Sequence, residues 1–124
     1  MPSRILLVDD SASVRTLLSR VLQAQSDFEI CGEAVNGRDG IEKAQQLKPD
    51  LVVLDLSMPV MNGFEAARAL QTLMPRVPIV LYTSYGFPTL VQEASAAGVS
   101  AVVSKEEPLD ALIKKLRHIF KSAA

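Results

Sequence analysis

The chain has 124 residues, of which 48% are hydrophobic, and its 13 basic and 14 acidic residues give a formal net charge of −1 at pH 7. This length suits one domain over residues 1–124, because a domain of this size removes roughly two-thirds of its unfolded surface from water. The balanced charge argues against direct nucleic-acid binding, and the N-terminal apolar run over 5–8 is too short for a signal peptide or a membrane span, so we expect a soluble cytoplasmic protein.

The first half of the chain alternates apolar runs with amphipathic segments. A short apolar run predicts a strand buried on both faces, and Asp9 and Asp10 follow it at once. The next strand is less apolar and closes at the turn signal Asn36-Gly37, while Pro49 stops the helix after it. The elements predicted here are a strand over 5–8, a helix over 13–23, a strand over 29–35 and a helix around 41–47.

The second half continues the same alternation. The most apolar run of the chain ends in Asp55, and Asn62 with Glu65 is typical of a helix capping pair. A weak helix closes at Gly98, and the last helix has Pro108 near its first turn. The elements predicted here are strands over 51–54, 78–82 and 101–104, and helices from 62 to about 74, over 90–97, and from about 108 to 120.

Five strands, each followed by a helix, predict an α/β fold: one doubly wound five-stranded parallel sheet with five helices. The polar residues that stand out all follow strand C-termini, namely Asp9 and Asp10, Asp55, Thr83 and Lys105. In open α/β sheets, that edge of the sheet is where ligands bind. We therefore expect these side chains to form one site.

Three carboxylates brought together would repel one another, and a hard divalent cation such as Mg²⁺ would relieve that repulsion through oxygen ligands. Asp55 could then stay ionised and act as a nucleophile. The electrophile we expect is a phosphoryl group, and the absence of a glycine-rich nucleotide loop argues against a bound nucleotide. Its transfer needs positioning and positive charge, which Lys105 can supply, and the Thr83 hydroxyl can donate a hydrogen bond to it.

Each of these residues also has an ordinary structural interpretation. Asp10 or Ser11 could simply cap the first helix, and an isolated Lys105 would be a surface lysine. His118 lies in the last predicted helix, away from the strand ends, and we interpret it as a surface residue. The functional prediction therefore depends on the joint pattern at four strand ends.

The chain resembles the receiver domain of two-component response regulators from residue 5 to about residue 120. The segments that carry the resemblance are Ile5-Leu6-Leu7-Val8-Asp9-Asp10, Leu51-Val52-Val53-Leu54-Asp55-Leu56-Ser57-Met58-Pro59, Met61-Asn62-Gly63, Thr83-Ser84 and Lys105. The resemblance implies a flavodoxin-like sheet of strand order 2-1-3-4-5. It also implies a phosphorelay protein that takes a phosphoryl group from a sensor histidine kinase or a phosphotransfer protein.

The resemblance implies a role for each matched residue. Asp55 would be the phosphoacceptor. Asp9, Asp10 and Asp55 would hold Mg²⁺ or Mn²⁺ together with the backbone carbonyl of Ser57. Thr83 would be the switch hydroxyl and Lys105 would contact the phosphoryl oxygens. The implied protein is a switch that modifies itself and not an enzyme.

One position departs from the family pattern. The family usually has an aromatic residue three positions before the lysine, and here that position is Val102. Tyr82, Tyr85 and Phe87 are the nearby aromatic residues that could replace its function. Coupling of Thr83 to the output must use one of these, or another device, or be weaker.

The sequence does not identify the output partner. The segments 31–37 and 56–59 look most like receivers that precede helix-turn-helix output domains, and no such domain follows here. We expect either a single-domain receiver or one excised from a longer chain. It would act on an output protein or on its own missing output domain. Phosphorylation could also lead it to form a homodimer.

Three alternative functions fit the sequence less well. An interaction module that is never phosphorylated is favoured only by Val102. An aspartate-nucleophile phosphatase usually has one residue between its two acids, which Asp9 and Asp10 lack. A flavodoxin would need a hydroxyl-rich phosphate loop in place of these acids.

Overall fold

The computed structural model of the protein describes residues 2–84 and 89–123. Its centre is a five-stranded, all-parallel sheet of strand order β2-β1-β3-β4-β5, and a helix follows each strand. The predicted doubly wound α/β fold is therefore confirmed. The elements are β1 (Ser3–Val8), α1 (Ala12–Gln23), β2 (Phe28–Ala34), α2 (Gly37–Leu47), β3 (Leu51–Leu54), α3 (Gly63–Leu73), β4 (Ile79–Thr83), α4 (Thr89–Ala96), β5 (Ala101–Ser104) and α5 (Leu109–Ala123).

Strand pairing moves several predicted element ends by one or two residues. β1 begins at Ser3, two residues before its apolar run, because Ser3 pairs with Phe28 of β2. β4 extends to Thr83, which pairs with Ser104 of β5. β2 ends before Val35, which is 48% exposed. These ends depend on backbone partners in other strands, which an apolar run does not reveal.

The core lies on both faces of the sheet. Leu6 and Val8 of β1 face a cluster with α2, α3 and α4, whereas Ile5 and Leu7 face a second cluster with α1 and α5. Successive strand side chains point to opposite faces, so a strand covered on both faces is apolar at every position. Full burial of each such leucine or isoleucine contributes about 1.5–3 kcal/mol.

The fourth helix packs least tightly against this core. Among the side chains that the structure describes at 91–96, only Ala94 is buried, and Val91 is 45% exposed. Gly98 follows with a φ of +87°, the left-handed conformation expected at a helix end. None of the helices in residues 2–84 and 89–123 is long and apolar enough to cross a bilayer.

An arginine clamp fastens α5 at the edge of the sheet where the strands begin. The Arg117 guanidinium donates to both carboxylate oxygens of Asp27, at 2.9 and 3.0 Å, and to Gln25 at 2.8 Å. It also lies 5.6 Å from the ring centroid of Phe28, the first residue of β2. This clamp lies at the opposite edge of the sheet from the strand C-termini.

The loop after β3 folds back onto its own strand end at Gly63, the first residue of α3. Its amide donates to the Leu56 carbonyl at 2.8 Å. A Cβ atom at this position would lie 2.4 Å from the Asp55 carbonyl oxygen and 2.7 Å from the Leu56 Cα. Asn62 and Glu65 form the predicted capping box around the same turn. Only glycine allows α3 to begin against the two residues that follow β3.

We therefore expect Gly63→Ala to lower the free energy of unfolding by about 2–3 kcal/mol, because a methyl group would overlap rigid backbone. Urea unfolding measures the change. Gly32→Ala is the matched control, since its Cβ would meet the flexible end of the Leu47 side chain, and its cost should stay below about 1 kcal/mol. Equal losses for the two variants would contradict this account of the loop.

Candidate functional site

Three carboxylates meet where β1 and β3 end. The register pairs Val8 with Leu54, so Asp9 and Asp55 continue two neighbouring strands side by side. One carboxylate oxygen from each of Asp9, Asp10 and Asp55 lies within 4.8 Å of the other two. Asp9 and Asp55 are only 3% and 7% exposed, whereas Asp10 is exposed. The predicted convergence of these acids is confirmed.

Asp9 is held on both of its carboxylate oxygens. Oδ1 accepts a hydrogen bond from the Ser11 amide at 2.9 Å, and Oδ2 accepts one from the Lys105 ammonium at 2.9 Å. Ser11 is the N-cap of α1, and its hydroxyl accepts from the Val14 amide at 3.3 Å. Of the two capping candidates, the serine therefore caps the helix, and Asp10 stays exposed beside the other two acids.

Lys105 reaches across the sheet to both buried acids. Its amide donates to the Thr83 carbonyl at 2.8 Å, which fixes the backbone beside β4. Its ammonium lies 2.9 Å from Asp9 and 3.4 Å from Asp55, and the side chain is 19% exposed. The same ammonium lies 5.9 Å from the ring centroid of Tyr82. Lys105 is therefore a half-buried cation shared by two carboxylates.

Burial and mutual repulsion govern the charges of the site. Burial raises the pKa of Asp55 above its ordinary value, and the charge of Asp9 raises it further, while Lys105 acts in the opposite direction. For Lys105, burial alone would lower the pKa, but its hydrogen bond to Asp9 and the charge of Asp55 raise it overall. Even with Lys105 in place, the positive charge beside Asp9 and Asp55 does not fully offset the burial and mutual repulsion of the two carboxylates.

The acidic cluster fits a small hard cation. Two oxygens that both bind Mg²⁺ at about 2.1 Å can be at most about 4.2 Å apart, and the three acids place their oxygens within 4.8 Å of one another. Small side-chain shifts would therefore bring the oxygens of Asp9, Asp10 and Asp55 to one ion. The donor set contains only oxygen atoms, as Mg²⁺ and Mn²⁺ prefer.

The remaining predicted residues lie around this cluster. Thr83 is fully buried at the end of β4. Ser57 is exposed in the loop two residues after Asp55. Their roles toward the phosphoryl group and the metal stay predictions.

The position of the missing aromatic residue is half-buried. Val102 lies in β5 opposite Leu81 and packs on the side of the sheet that α4 covers. It borders an open depression of about 340 Å³, lined by Val91, Ala94, Ser95, Val99, Ser100, Ala101, Val102 and Lys115. Tyr82, one suggested replacement, is buried on the opposite side of the sheet, and Tyr85 and Phe87 lie outside the described residues.

Sequence reasoning missed a second cation beside the acids. Arg15 of α1 donates to the backbone carbonyl of Asp9 at 2.6 Å and to the carboxylate of Glu33 at 3.0 Å. Nothing in the apolar periodicity of α1 marks this residue. The one sequence feature that marks it is a basic residue five positions after the acid pair.

Sequence comparisons relate the chain to one family of known proteins. The model of the response regulator receiver domain family matches residues 5–117. The response regulator protein VraR of Staphylococcus saprophyticus is 36% identical over 122 residues, covering 98% of this chain and 58% of VraR. The chemotaxis protein CheY of Thermotoga maritima is 34% identical over 121 residues, covering 98% of this chain and 100% of CheY. The chain thus spans just over half of VraR.

Solved structures give the same result. CheY4 of Vibrio cholerae is 32% identical, with a TM-score of 0.87 and coverage of 95% of this chain and 98% of that one. A LuxR-family response regulator from Aurantimonas is 26% identical, with a TM-score of 0.94 and coverage of 98% of this chain and 87% of that one.

Because its pKa is raised in the folded protein, Asp55 favours the fold when protonated, and this contribution is lost as pH rises through the folded-state pKa. Without metal, Asp55→Asn should therefore raise the free energy of unfolding near pH 7 by an amount on the order of 1 kcal/mol. The gain should disappear below the unfolded carboxyl pKa of about 3.9.

Thermal unfolding at several pH values measures this difference, and Glu107→Gln is the control because that side chain is exposed. A neutral-pH loss of stability in Asp55→Asn would contradict the proposed repulsion.

Proposed function

This chain belongs to the response regulator receiver domain family of two-component signalling, and we propose that Asp55 is the residue on which it accepts the phosphoryl group. The observation that supports this assignment most directly is the Lys105 ammonium, which lies 3.4 Å from Asp55 and 2.9 Å from Asp9. It puts a positive charge beside the carboxylate that has to approach an anionic phosphoryl group.

Asp55 suits the role of nucleophile better than Asp9 or Asp10 does. Asp9 uses one oxygen for the Ser11 amide and the other for Lys105, and Asp10 is exposed. Asp55 Oδ1 accepts from the Leu56 amide at 2.9 Å and faces Lys105. Within residues 2–84 and 89–123, no hydrogen bond or ion pair occupies its Oδ2. One oxygen is thus oriented and the other is available to attack.

The reaction is an in-line exchange at phosphorus. An Asp55 oxygen forms the new O–P bond as the N–P bond of a phosphohistidine breaks, and the histidine nitrogen departs with the bonding electron pair. Lys105 stabilises charge on the phosphoryl oxygens, and the Thr83 hydroxyl donates to one of them. Later, water attacks the phosphorus as its bond to the Asp55 oxygen breaks, which releases inorganic phosphate and returns Asp55 to its free carboxylate.

The metal ligands in this proposal are Asp9, Asp10, Asp55 and the backbone carbonyl of Ser57. When bound there, Mg²⁺ or Mn²⁺ supplies positive charge to the acids and the phosphoryl oxygens. With that charge beside it, Asp9 would hold Lys105 less tightly. The lysine would then be able to turn from Asp9 toward the phosphoryl group on Asp55.

The switch that we propose couples Asp55 to α4 and β5. Ala94 is the only buried side chain described at 91–96, so this part of α4 buries little area that would oppose a shift. The depression beside Val102 leaves room for such a shift without a moving aromatic ring. Thr83 and Lys105 would bias the two states, since they end β4 and follow β5. Unchanged amide exchange over 89–98 after phosphorylation would contradict this coupling.

In this proposal the protein is a cytoplasmic signalling switch, and not an enzyme that turns over an external substrate. Its donor is a sensor histidine kinase or a phosphotransfer protein. Its output is a separate protein or a domain of a longer chain, with homodimer formation as one way of signalling. VraR, of which this chain matches 58%, is named a response regulator protein. The alternative, an interaction module that is never phosphorylated, is favoured only by Val102.

Incubation with acetyl phosphate tests the proposed chemistry, with intact-protein mass spectrometry as the readout. We expect a gain of one phosphoryl group that requires Mg²⁺ and is absent in Asp55→Asn. Lys105→Met should slow the gain by about 10- to 1,000-fold, because it removes a charge that stabilises the transition state.

Asp50→Asn is the matched control, since Asp50 is an exposed carboxylate at the opposite edge of the sheet, and it should be phosphorylated normally. Phosphorylation that persists in Asp55→Asn would place the acceptor elsewhere. No phosphorylation of the wild-type chain under any of these conditions would favour the interaction module.

A further inference from the structure

Arg15 lies directly behind the acid pair and is well buried for an arginine, with a side chain only 15% exposed. One guanidinium nitrogen donates to the Asp9 backbone carbonyl at 2.6 Å. Another donates to the Glu33 carboxylate at 3.0 Å. Neither acceptor belongs to α1, so the residue ties its helix to β2 and to the end of β1.

These contacts complete the support of Asp9. Its amide donates to the Ala34 carbonyl at 3.1 Å, and its carbonyl accepts from Arg15. Glu33 itself is fixed, because its backbone carbonyl accepts a hydrogen bond from the Lys43 ammonium. Both peptide groups that flank Asp9 are therefore anchored to β2, directly or through Arg15, and the turn that carries Asp9 and Asp10 has a defined position.

The contact depends on the shape of the guanidinium group. Two nitrogens of one rigid plane reach two acceptors on different elements, which a lysine ammonium with its single nitrogen does not reproduce. Glu33 balances the positive charge, so the arginine can lie close to a cation site without a large excess of charge. The two properties of Arg15 therefore predict opposite effects on cation binding. The geometry of its contacts should strengthen binding by holding the acids in place, and its positive charge should weaken binding by repulsion.

We infer that Arg15 is a positioning residue for the divalent cation site: it holds the β1–α1 turn so that Asp9 and Asp10 present their oxygens to one ion. This inference rests on the proposed function, since it assumes that these acids bind the cation. Groups that orient metal ligands from behind typically change metal affinity by about 10- to 100-fold when they are replaced.

The sign of the effect separates positioning from simple electrostatics. If Arg15 acted only through its charge, Arg15→Met would bind Mg²⁺ more tightly and Arg15→Lys would bind it unchanged. If Arg15 positions the acids, both variants bind Mg²⁺ more weakly, and Arg15→Lys does so although it keeps the charge. Arg15→Lys is therefore the decisive variant.

The test is a titration of unphosphorylated protein with MgCl₂, followed by ¹⁵N amide chemical shifts of residues 9–11 and 55–57. We expect Arg15→Lys and Arg15→Met to raise the Mg²⁺ Kd by about 10-fold, with dispersed spectra that show a folded chain. The control is Arg117→Lys, because Arg117 forms a similar fork with Asp27 at the other edge of the sheet. Its Mg²⁺ Kd should equal that of the wild type.

An unchanged Kd in Arg15→Lys, or a tighter one in Arg15→Met, would overturn the inference while leaving the proposed function intact. An equal loss in Arg117→Lys would overturn it as well, because the effect would then be one of general stability. A wild-type chain that does not bind Mg²⁺ would overturn both the inference and the metal-dependent function.

Discussion

Two buried carboxylates at the ends of neighbouring strands cannot both be ionised unless a cation is close, and the rest of the site follows from that constraint. Asp9 and Asp55 are brought together by the pairing of β1 with β3. Lys105 supplies the cation from β5, two strands beyond β3, at 2.9 Å from one acid and 3.4 Å from the other. In the proposed function, a divalent cation would add positive charge to this balance and a phosphoryl group would add negative charge.

The buried charges of the site lower the free energy of unfolding, and the same charges give the site its proposed reactivity. A buried ion pair seldom stabilises a fold as much as apolar side chains of the same volume would. Burial also leaves Asp55 with a raised pKa despite the nearby lysine. The chain compensates elsewhere, with two apolar clusters on the faces of the sheet and a capping box at the start of α3. The carboxylate whose pKa burial raises is the one proposed to react.

Local sequence signals were enough to predict the order of the elements and the residues that converge. The bounds of β3 and β5 match the apolar runs 51–54 and 101–104, and the Asn62–Glu65 box was visible as a spacing of three residues. The contact of Lys105 with Asp9 joins residues 96 positions apart, and the fork of Arg15 joins three elements. Such contacts depend on the packed geometry of several elements, and no local pattern encodes them.

Titration of the carboxyl carbon of Asp55 by ¹³C NMR tests the central claim most directly, in the wild type and in Lys105→Met, with and without MgCl₂. The account predicts a pKa above the ordinary aspartate value of about 3.9 in the metal-free wild type, a higher pKa when the lysine is removed, and a lower one when Mg²⁺ is added. An Asp55 pKa at or below the ordinary value that neither change alters would contradict the shared-cation account of the site.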